Sequence, residues 1–307
     1  MSGLPDSYFT YARRQAGPDH GHYPASPIRE RAPVVLPGGA SLALWVVVPL
    51  EFFPLNPSGQ PFKAPGAMQT PYPDLRHYTT RDYGNRVGAY RLLKLFARLG
   101  LRATFAVQGA VAERYPGLIR DVLFDGHDIC AHGWDTDSLH HSTLAEAVEN
   151  SYITRTLDAI EAASGQRVTG WLSPARAEGF ATPARLAAQG IRWFADWAHD
   201  ELPTRFQTSA GELISMPLSN ELDDWQILIT YTRPEHEWLA QVTDAADWLA
   251  AEAVRLNSPR VLTLTVRPYV SGLPYRIKAL GNSLQTVLNR PGTSVLSPDD
   301  LLRAVSV

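Results

Sequence analysis

Glu51, His132 and Arg267 each stand just beyond a short apolar run, in LALWVVVPLE, DICAH and VLTLTVR. A carboxylate supplies a base or a metal ligand. An imidazole gives or takes a proton near neutral pH, and a guanidinium is a permanent cation that clamps a carboxylate or holds an oxyanion but delivers no proton. Each has a structural alternative. A buried carboxylate must pair with a cation or line a cavity, because an isolated buried charge is prohibitive, so Glu51 equally suits pairing with an arginine. Arg267 equally suits a salt bridge to Glu51 or Asp196. Gly133 lets the backbone turn sharply after His132. Gln108, Asp135, Ser173 and Asp196 occupy similar run-end positions, Asp196 either orienting a partner or accepting hydrogen bonds. Trp134, Trp171 and Trp197 would wall a flat slot suited to a small planar or cyclic ligand. The adjacent pair His140 and His141 has no familiar zinc spacing and reads as a solvated loop.

The elements that must position these groups follow from periodicity. Leu42 to Leu50 is a continuous apolar run bounded by Gly39 and Pro49, and reads as a strand buried on both faces. A proline-rich loop is expected over 53–80, then a helix from Arg86 to Leu99 stopped by Gly100. Strands follow at 103–107 and up to His132, around a short helix at 116–124. The strongest helix covers 144–164, with Thr143 and Glu146 as a capping box and Gly165 as its stop. Strand 168–172, helix 183–189 and strand 191–196 repeat the unit. Apolar runs at 213–216 and 226–231, a helix at 235–256, strand 261–266, a helix at 277–288, strand 294–296 and a helix from Pro298 complete it.

About seven β-then-α units without a composition break indicate one domain over 39–307 with a mainly parallel sheet. No GxGxxG or GxxxxGK[ST] follows any strand, which favours a barrel over a nucleotide-binding open sheet and puts the site at the strand ends. Residues 1–38, rich in proline, read as an extended N-terminal arm that wraps the barrel or a neighbouring subunit.

The 307 residues carry 28 basic and 31 acidic side chains, so nothing suggests nucleic acid as a partner. The longest apolar stretch is less than half a membrane span, so no membrane association is expected. The first residues show no apolar core behind a positive start, and Cys130 is the only cysteine. A cytoplasmic location follows as an expectation.

The stretches LWVVVPLEFF, RDYGNRVGAYRLLKLFARLGLRATFAV, DGHDICAHGWDT, TGWLSPARAE, IRWFADWAHDELP and VRPYVSGLPYRIKAL resemble the polysaccharide deacetylase superfamily, and within it the allantoinase-like, cyclic imide hydrolase-like branch. The resemblance implies a deformed (β/α) TIM-like barrel with about seven strands, hydrolysis of a carbon–nitrogen bond, and a homo-oligomer, often a tetramer. The family's chemistry uses a divalent metal held by an aspartate and an HxxxH pair, a second aspartate as base and a late histidine as acid. Here the early carboxylate pair is reduced to Glu51, Thr136 stands where the second histidine would be, Arg267 replaces the late histidine, and Leu172 lies near the expected arginine. One carboxylate and one imidazole leave zinc at least one protein ligand short. No cofactor is therefore expected, at most a weak divalent metal such as zinc at Glu51 and His132.

The reading that follows is a hydrolase of a small linear or cyclic amide or imide, without a tightly bound metal. Glu51 would be base, His132 would position water or substrate, and Arg267 would hold an oxyanion or carboxylate. Trp134, Trp171, Ser173, Asp196, Trp197 and Arg86 would bind substrate, with Tyr83 a further candidate beside Arg86. Two alternatives stand beside it: an inactive family member binding a small anionic ligand, and a metal-dependent polysaccharide deacetylase serving carbohydrate metabolism.

Overall fold

The computed structural model of the chain describes residues 20–58 and 73–305. Residues 1–19 of the expected arm and 59–72 of the expected loop lie outside the described residues. LALWVVVPL has no polar group that water must reach except the indole of Trp45, which donates to Thr104 Oγ1 at 2.8 Å. It forms β1 (Leu42–Leu50), buried along its whole length as a parallel strand covered on both faces must be.

Parallel to β1 run β2 (Thr104–Val107) on one side and β8 (Arg260–Thr265) on the other. Beyond β2 the sheet continues through β3 (Asp128–Ala131), β4 (Gly170–Trp171), β5 (Trp193–Phe194) and β7 (Gly211–Ser215), all parallel. These seven strands form a deformed barrel. β6 (Thr204–Thr208) adds an antiparallel edge to β7, and β9 (Thr293–Val295) pairs with the first three residues of β1. The sheet is not closed. At the seam the Val261 N–H donates to the Glu201 carbonyl at 3.1 Å, and the Ser219 N–H to Thr263 Oγ1 at 2.8 Å.

The helix expected from Arg86 starts earlier. α1 (Leu75–Tyr83) begins where the Asp74 side chain accepts the His77 N–H at 3.0 Å. It runs through a π turn, Gly84–Gly88, into α2 (Ala89–Leu99), which ends at Gly100 with φ +60°. α3 (Gly109–Arg114), absent from the sequence reading, fills the space before α4 (Pro116–Phe124). α5 (Glu146–Ser164) starts at Ala145 without a side-chain cap, and Gly165 ends it with φ +74°. The expected capping box does not form, because Thr143 Oγ1 bonds His141 Nδ1 at 2.8 Å instead. α6 (Thr182–Ala188), α7 (Glu235–Leu256), α8 (Ile277–Leu288) and α9 (Pro298–Val305) follow. The apolar run near 226–231 is a second π turn, Trp225–Thr230.

The arm's described part lies against β6 and the loop that precedes it. The Gln207 N–H donates to the His22 carbonyl at 2.7 Å, and Arg31 Nη1 donates to Asp200 Oδ1 at 2.7 Å. No helix among the described residues is long and apolar enough to cross a membrane.

Candidate active site

Because the barrel strands run parallel, the residues that follow them gather at one end. Glu51 follows β1, Gln108 β2, His132 β3, Ser173 β4, Asp196 β5 and Arg267 β8. The Glu51–His132–Arg267 group predicted from the sequence does come together. Arg267 Nε donates to Glu51 Oε1 at 3.1 Å, and His132 Nε2 lies 3.9 Å from that oxygen.

Four residues not singled out in the sequence complete this group. From RPYVSG, Tyr269 OH donates to Glu51 Oε2 at 2.5 Å and Ser271 Oγ donates to Asp224 Oδ2 at 2.6 Å. From the loop after β7, Asp223 Oδ1 and Asp224 Oδ1 accept Arg267 Nη1 at 2.5 and 3.1 Å. The Arg267 backbone N–H also donates to Asp224, at 2.6 Å. Arg267 thus pairs with Glu51 but with Asp223 and Asp224 in place of Asp196.

A second guanidinium lies behind Glu51. Arg81, 2% exposed, places its Nε 3.8 Å from Glu51 Oε2, and its Cζ is 4.8 Å from the Tyr269 ring centroid and 5.5 Å from that of Trp225. Asn85, one helical turn on, donates from Nδ2 to the Glu51 carbonyl at 2.9 Å. The π turn carries this face past the β8–α8 loop. A Cβ built on Gly88 would lie 2.1 Å from the Pro268 carbonyl oxygen, so only glycine permits the approach. π turns recur at functional sites, and two flank this one.

The electrostatics assign states to these groups. Burial opposes the charge on Glu51, yet Arg267, His132 and Arg81 together hold its carboxyl well below the usual carboxylate range. Glu51 therefore stays ionised, and a carboxylate so stabilised is a weak proton acceptor. Both of its oxygens are already bonded, to Arg267 and Tyr269, so the geometry holds Glu51 as a paired anion. Asp224 is pushed up to about 7, by burial first and by the neighbouring Asp223, against the pull of Arg267.

His132 is 3% exposed, and its Nδ1 lies 2.8 Å from the Leu172 carbonyl oxygen. A carbonyl only accepts, so Nδ1 carries a hydrogen and Nε2 is the nitrogen turned toward Glu51. The turn that aims the ring needs Gly133, whose φ is +66° and whose added Cβ would lie 2.4 Å from Pro174 Cγ.

A cavity of about 570 Å³ opens over His132, Ser173, Arg176, Asp223, Trp225 and Arg267. A smaller one of about 30 Å³, sharing His132, Trp225 and Arg267, reaches inward to Glu51, Gln108 and Tyr269. The rim is strained: Ala175 and Arg176 have φ of +54° and +52°, a conformation costly for residues with a Cβ and concentrated at functional sites. Arg176 braces it by donating to the carbonyls of Leu218 at 3.0 Å and Ser219 at 2.9 Å. A larger cavity, about 770 Å³, lies at the β7–β8 seam around Trp248 and Asp200, away from these groups.

Most of the expected substrate-binding residues lie elsewhere. Trp134 packs between layers, touched by Gly109 and covered by the Arg155 guanidinium 3.3 Å from its ring centroid. Trp171 is fully buried and donates from Nε1 to Ser173 Oγ at 2.9 Å. Trp197 packs against Phe206 and the arm residues His20 and Tyr23. The ring that does line the cavity is Trp225.

Arg86 points outward, 63% exposed and paired with Asp82 at 2.9 Å, and Tyr83 bonds Arg91. Arg81 is the arginine of that segment that reaches the site. Ser173 lines the cavity, and Asp196 accepts its N–H and hydroxyl at 2.6 and 2.8 Å without lining the cavity itself. Asp135 caps the following turn by accepting the Ser138 N–H at 2.8 Å. His140 is not solvated: it is fully buried, with Nδ1 3.1 Å from Glu149 Oε1, while His141 is exposed.

The residues present do not fit a divalent metal. Both Glu51 oxygens are engaged by Arg267 and Tyr269, and two guanidiniums stand within 4 Å of the carboxylate. Thr136 turns away and donates to the Phe52 carbonyl at 3.0 Å. Among the described residues no group of three or more His, Cys, Asp or Glu could hold a metal ion.

Comparison with known proteins agrees with this frame. The polysaccharide deacetylase family model matches residues 71–193. A peptidoglycan deacetylase of Helicobacter pylori is 23% identical over 143 residues, 47% of this chain and 48% of that protein. The chain therefore spans about half the length of the curated relative it matches. The structure of Puue allantoinase superposes with a TM-score of 0.80 at 22% identity, covering 92% of this chain and 97% of that one. A probable polysaccharide deacetylase from Pseudomonas aeruginosa superposes with a TM-score of 0.77 at 24% identity, covering 92% and 97% of the two chains. The resemblance to polysaccharide deacetylases recurs over residues 71–193, and the fold, shared with both solved structures, is the deformed barrel read from the sequence.

Proposed function

We propose that this chain, which shares its fold with an allantoinase and a probable polysaccharide deacetylase, hydrolyses the carbon–nitrogen bond of a small linear or cyclic amide or imide without a metal. The observation that carries the reading is the held orientation of His132, whose Nδ1–H bonds a backbone carbonyl and leaves Nε2 in the cavity wall beside the Glu51 carboxylate and the Arg267 guanidinium.

His132 Nε2 takes a proton from water as the water oxygen attacks the substrate carbonyl carbon. The ionised Glu51, 3.9 Å from Nε2, stabilises the imidazolium that results. Arg267 faces the developing oxyanion. As the tetrahedral species collapses the C–N bond breaks, and the proton on Nε2 passes to the departing nitrogen. One imidazole thus serves as base and then acid, which answers the loss of the late histidine: Arg267 cannot protonate a leaving group, but His132 can. A 570 Å³ cavity suits a single ring or a short acyl amide.

The test is turnover of hydantoin, succinimide, allantoin and N-acetylglucosamine by the purified chain, read by release of carboxylate or amine. Hydrolysis of at least one, lost in His132→Ala, is expected; no turnover of any refutes the reading.

A further inference from the structure

We infer that Gln108 is a further catalytic residue, whose side-chain N–H donates to the oxygen of the carbonyl under attack. The inference rests on the amide-hydrolase reading above and names a group that reading does not use. Gln108 follows β2 and is fully buried. Its Oε1 accepts the Phe52 N–H at 2.6 Å. Because a backbone N–H can only donate, that bond fixes which end of the amide is oxygen, and Nε2 must be directed away from Phe52.

Nε2 has no hydrogen-bond partner among the described residues. Leaving such a donor buried and unmade is costly, so its retention calls for an acceptor that arrives with a ligand. Gln108 lines the inner cavity of about 30 Å³ together with His132, Arg267 and Glu51. That volume admits an atom the size of a carbonyl or water oxygen. Glu51 is an anion already bonded to Arg267 and Tyr269, so the group best placed to accept from Nε2 is a substrate oxygen gaining negative charge, with Arg267 as the second donor. The amide is held before the reaction begins, and a donor so placed acts on the transition state rather than on binding.

The test uses two variants of the full chain, Gln108→Met and Gln108→Glu, with whichever amide the wild type hydrolyses. Met removes both functions of the side chain. Glu keeps an oxygen for the Phe52 N–H but, ionised, removes the donor. Both variants are expected to lose roughly 10²–10³-fold in kcat with KM changed less than about threefold. If Gln108→Glu keeps kcat within about threefold of wild type, Gln108 serves only to hold Phe52 and the inference is overturned. If Gln108→Met fails to fold, the Glu variant decides alone. Should Glu also fail to fold, the Gln108 side-chain amide resonances of the isotope-labelled wild type decide: a proton shift on adding succinimide supports the role, and an unmoved signal under saturating succinimide overturns it. A wild type that neither binds nor hydrolyses any amide removes the function itself, a result distinct from an active wild type with indifferent variants.

Discussion

His132 donates its Nδ1–H to the carbonyl oxygen of Leu172 at 2.8 Å, and this bond decides which nitrogen can do chemistry. The acceptor is backbone at the end of β4, so the ring's orientation is set by the sheet itself. The backbone turn at Gly133 sets the same geometry. Gly133→Ala would require φ of +66° in a residue with a Cβ, and that Cβ would meet Pro174 Cγ at 2.4 Å. A loss of about 1–3 kcal/mol in stability is expected by urea unfolding, together with a fall in kcat larger than any change in KM. A fully active Gly133→Ala would show that the ring's aim is unimportant.

Arg267 is bonded to Glu51, Asp223 and Asp224. Arg267→Met leaves Asp223 and Asp224 without this cation and Glu51 with Arg81 alone, and a loss of about 3 kcal/mol is expected. Adding Glu51→Gln to it should cost less than the sum of the two single changes, because the pair is coupled. Additive losses in a double-mutant cycle would mean that the 3.1 Å contact carries no energy.

Glu51 gives stability a definite pH dependence. Its carboxyl is held below the ordinary value in the folded chain, so the folded state binds fewer protons than the unfolded one in acid. Its contribution is complete above the ordinary glutamate value of about 4.3 and is lost as pH falls below it toward the folded value. The difference in unfolding free energy between wild type and Glu51→Gln should be largest at pH 7 and shrink below about pH 4. An equal difference at pH 7 and pH 3 would contradict the ion-pair geometry.

The strand ends were legible because parallel β-then-α order alone places Glu51, His132 and Arg267 at one end. Which side chains turn inward was not. Trp134, Trp171 and Trp197 stand near strand ends, but the rings went to layer packing and to the arm, where their area is buried. Arg81 and Arg86 share one segment, but the helix read from the sequence began at Arg86, whereas α1 starts at Leu75 and so gives Arg81 and Asn85, four apart, one face toward Glu51. Asp223 and Asp224 precede the apolar run at 226–231, which is a π turn, so their role as carboxylates around Arg267 had no spacing to reveal it. His140 and Glu149 lie nine positions apart across a helix start, a long-range pairing that local polarity misread as solvated loop.

The guanidiniums of Arg267 and Arg81 take up the face of Glu51 that a divalent ion would need. Dialysis of the active chain against a strong chelator is expected to leave kcat unchanged, and added zinc should not reach stoichiometric binding by elemental analysis. Loss of activity on chelation, restored by zinc, would overturn this assignment.

The most direct measurement of the central claim is amide hydrolysis by wild type and His132→Gln, with folding of both checked by thermal melting. His132 acting through Nε2 requires wild-type turnover and a loss of at least about 10²-fold in kcat in the variant. Turnover in folded His132→Gln within about threefold of wild type would contradict it.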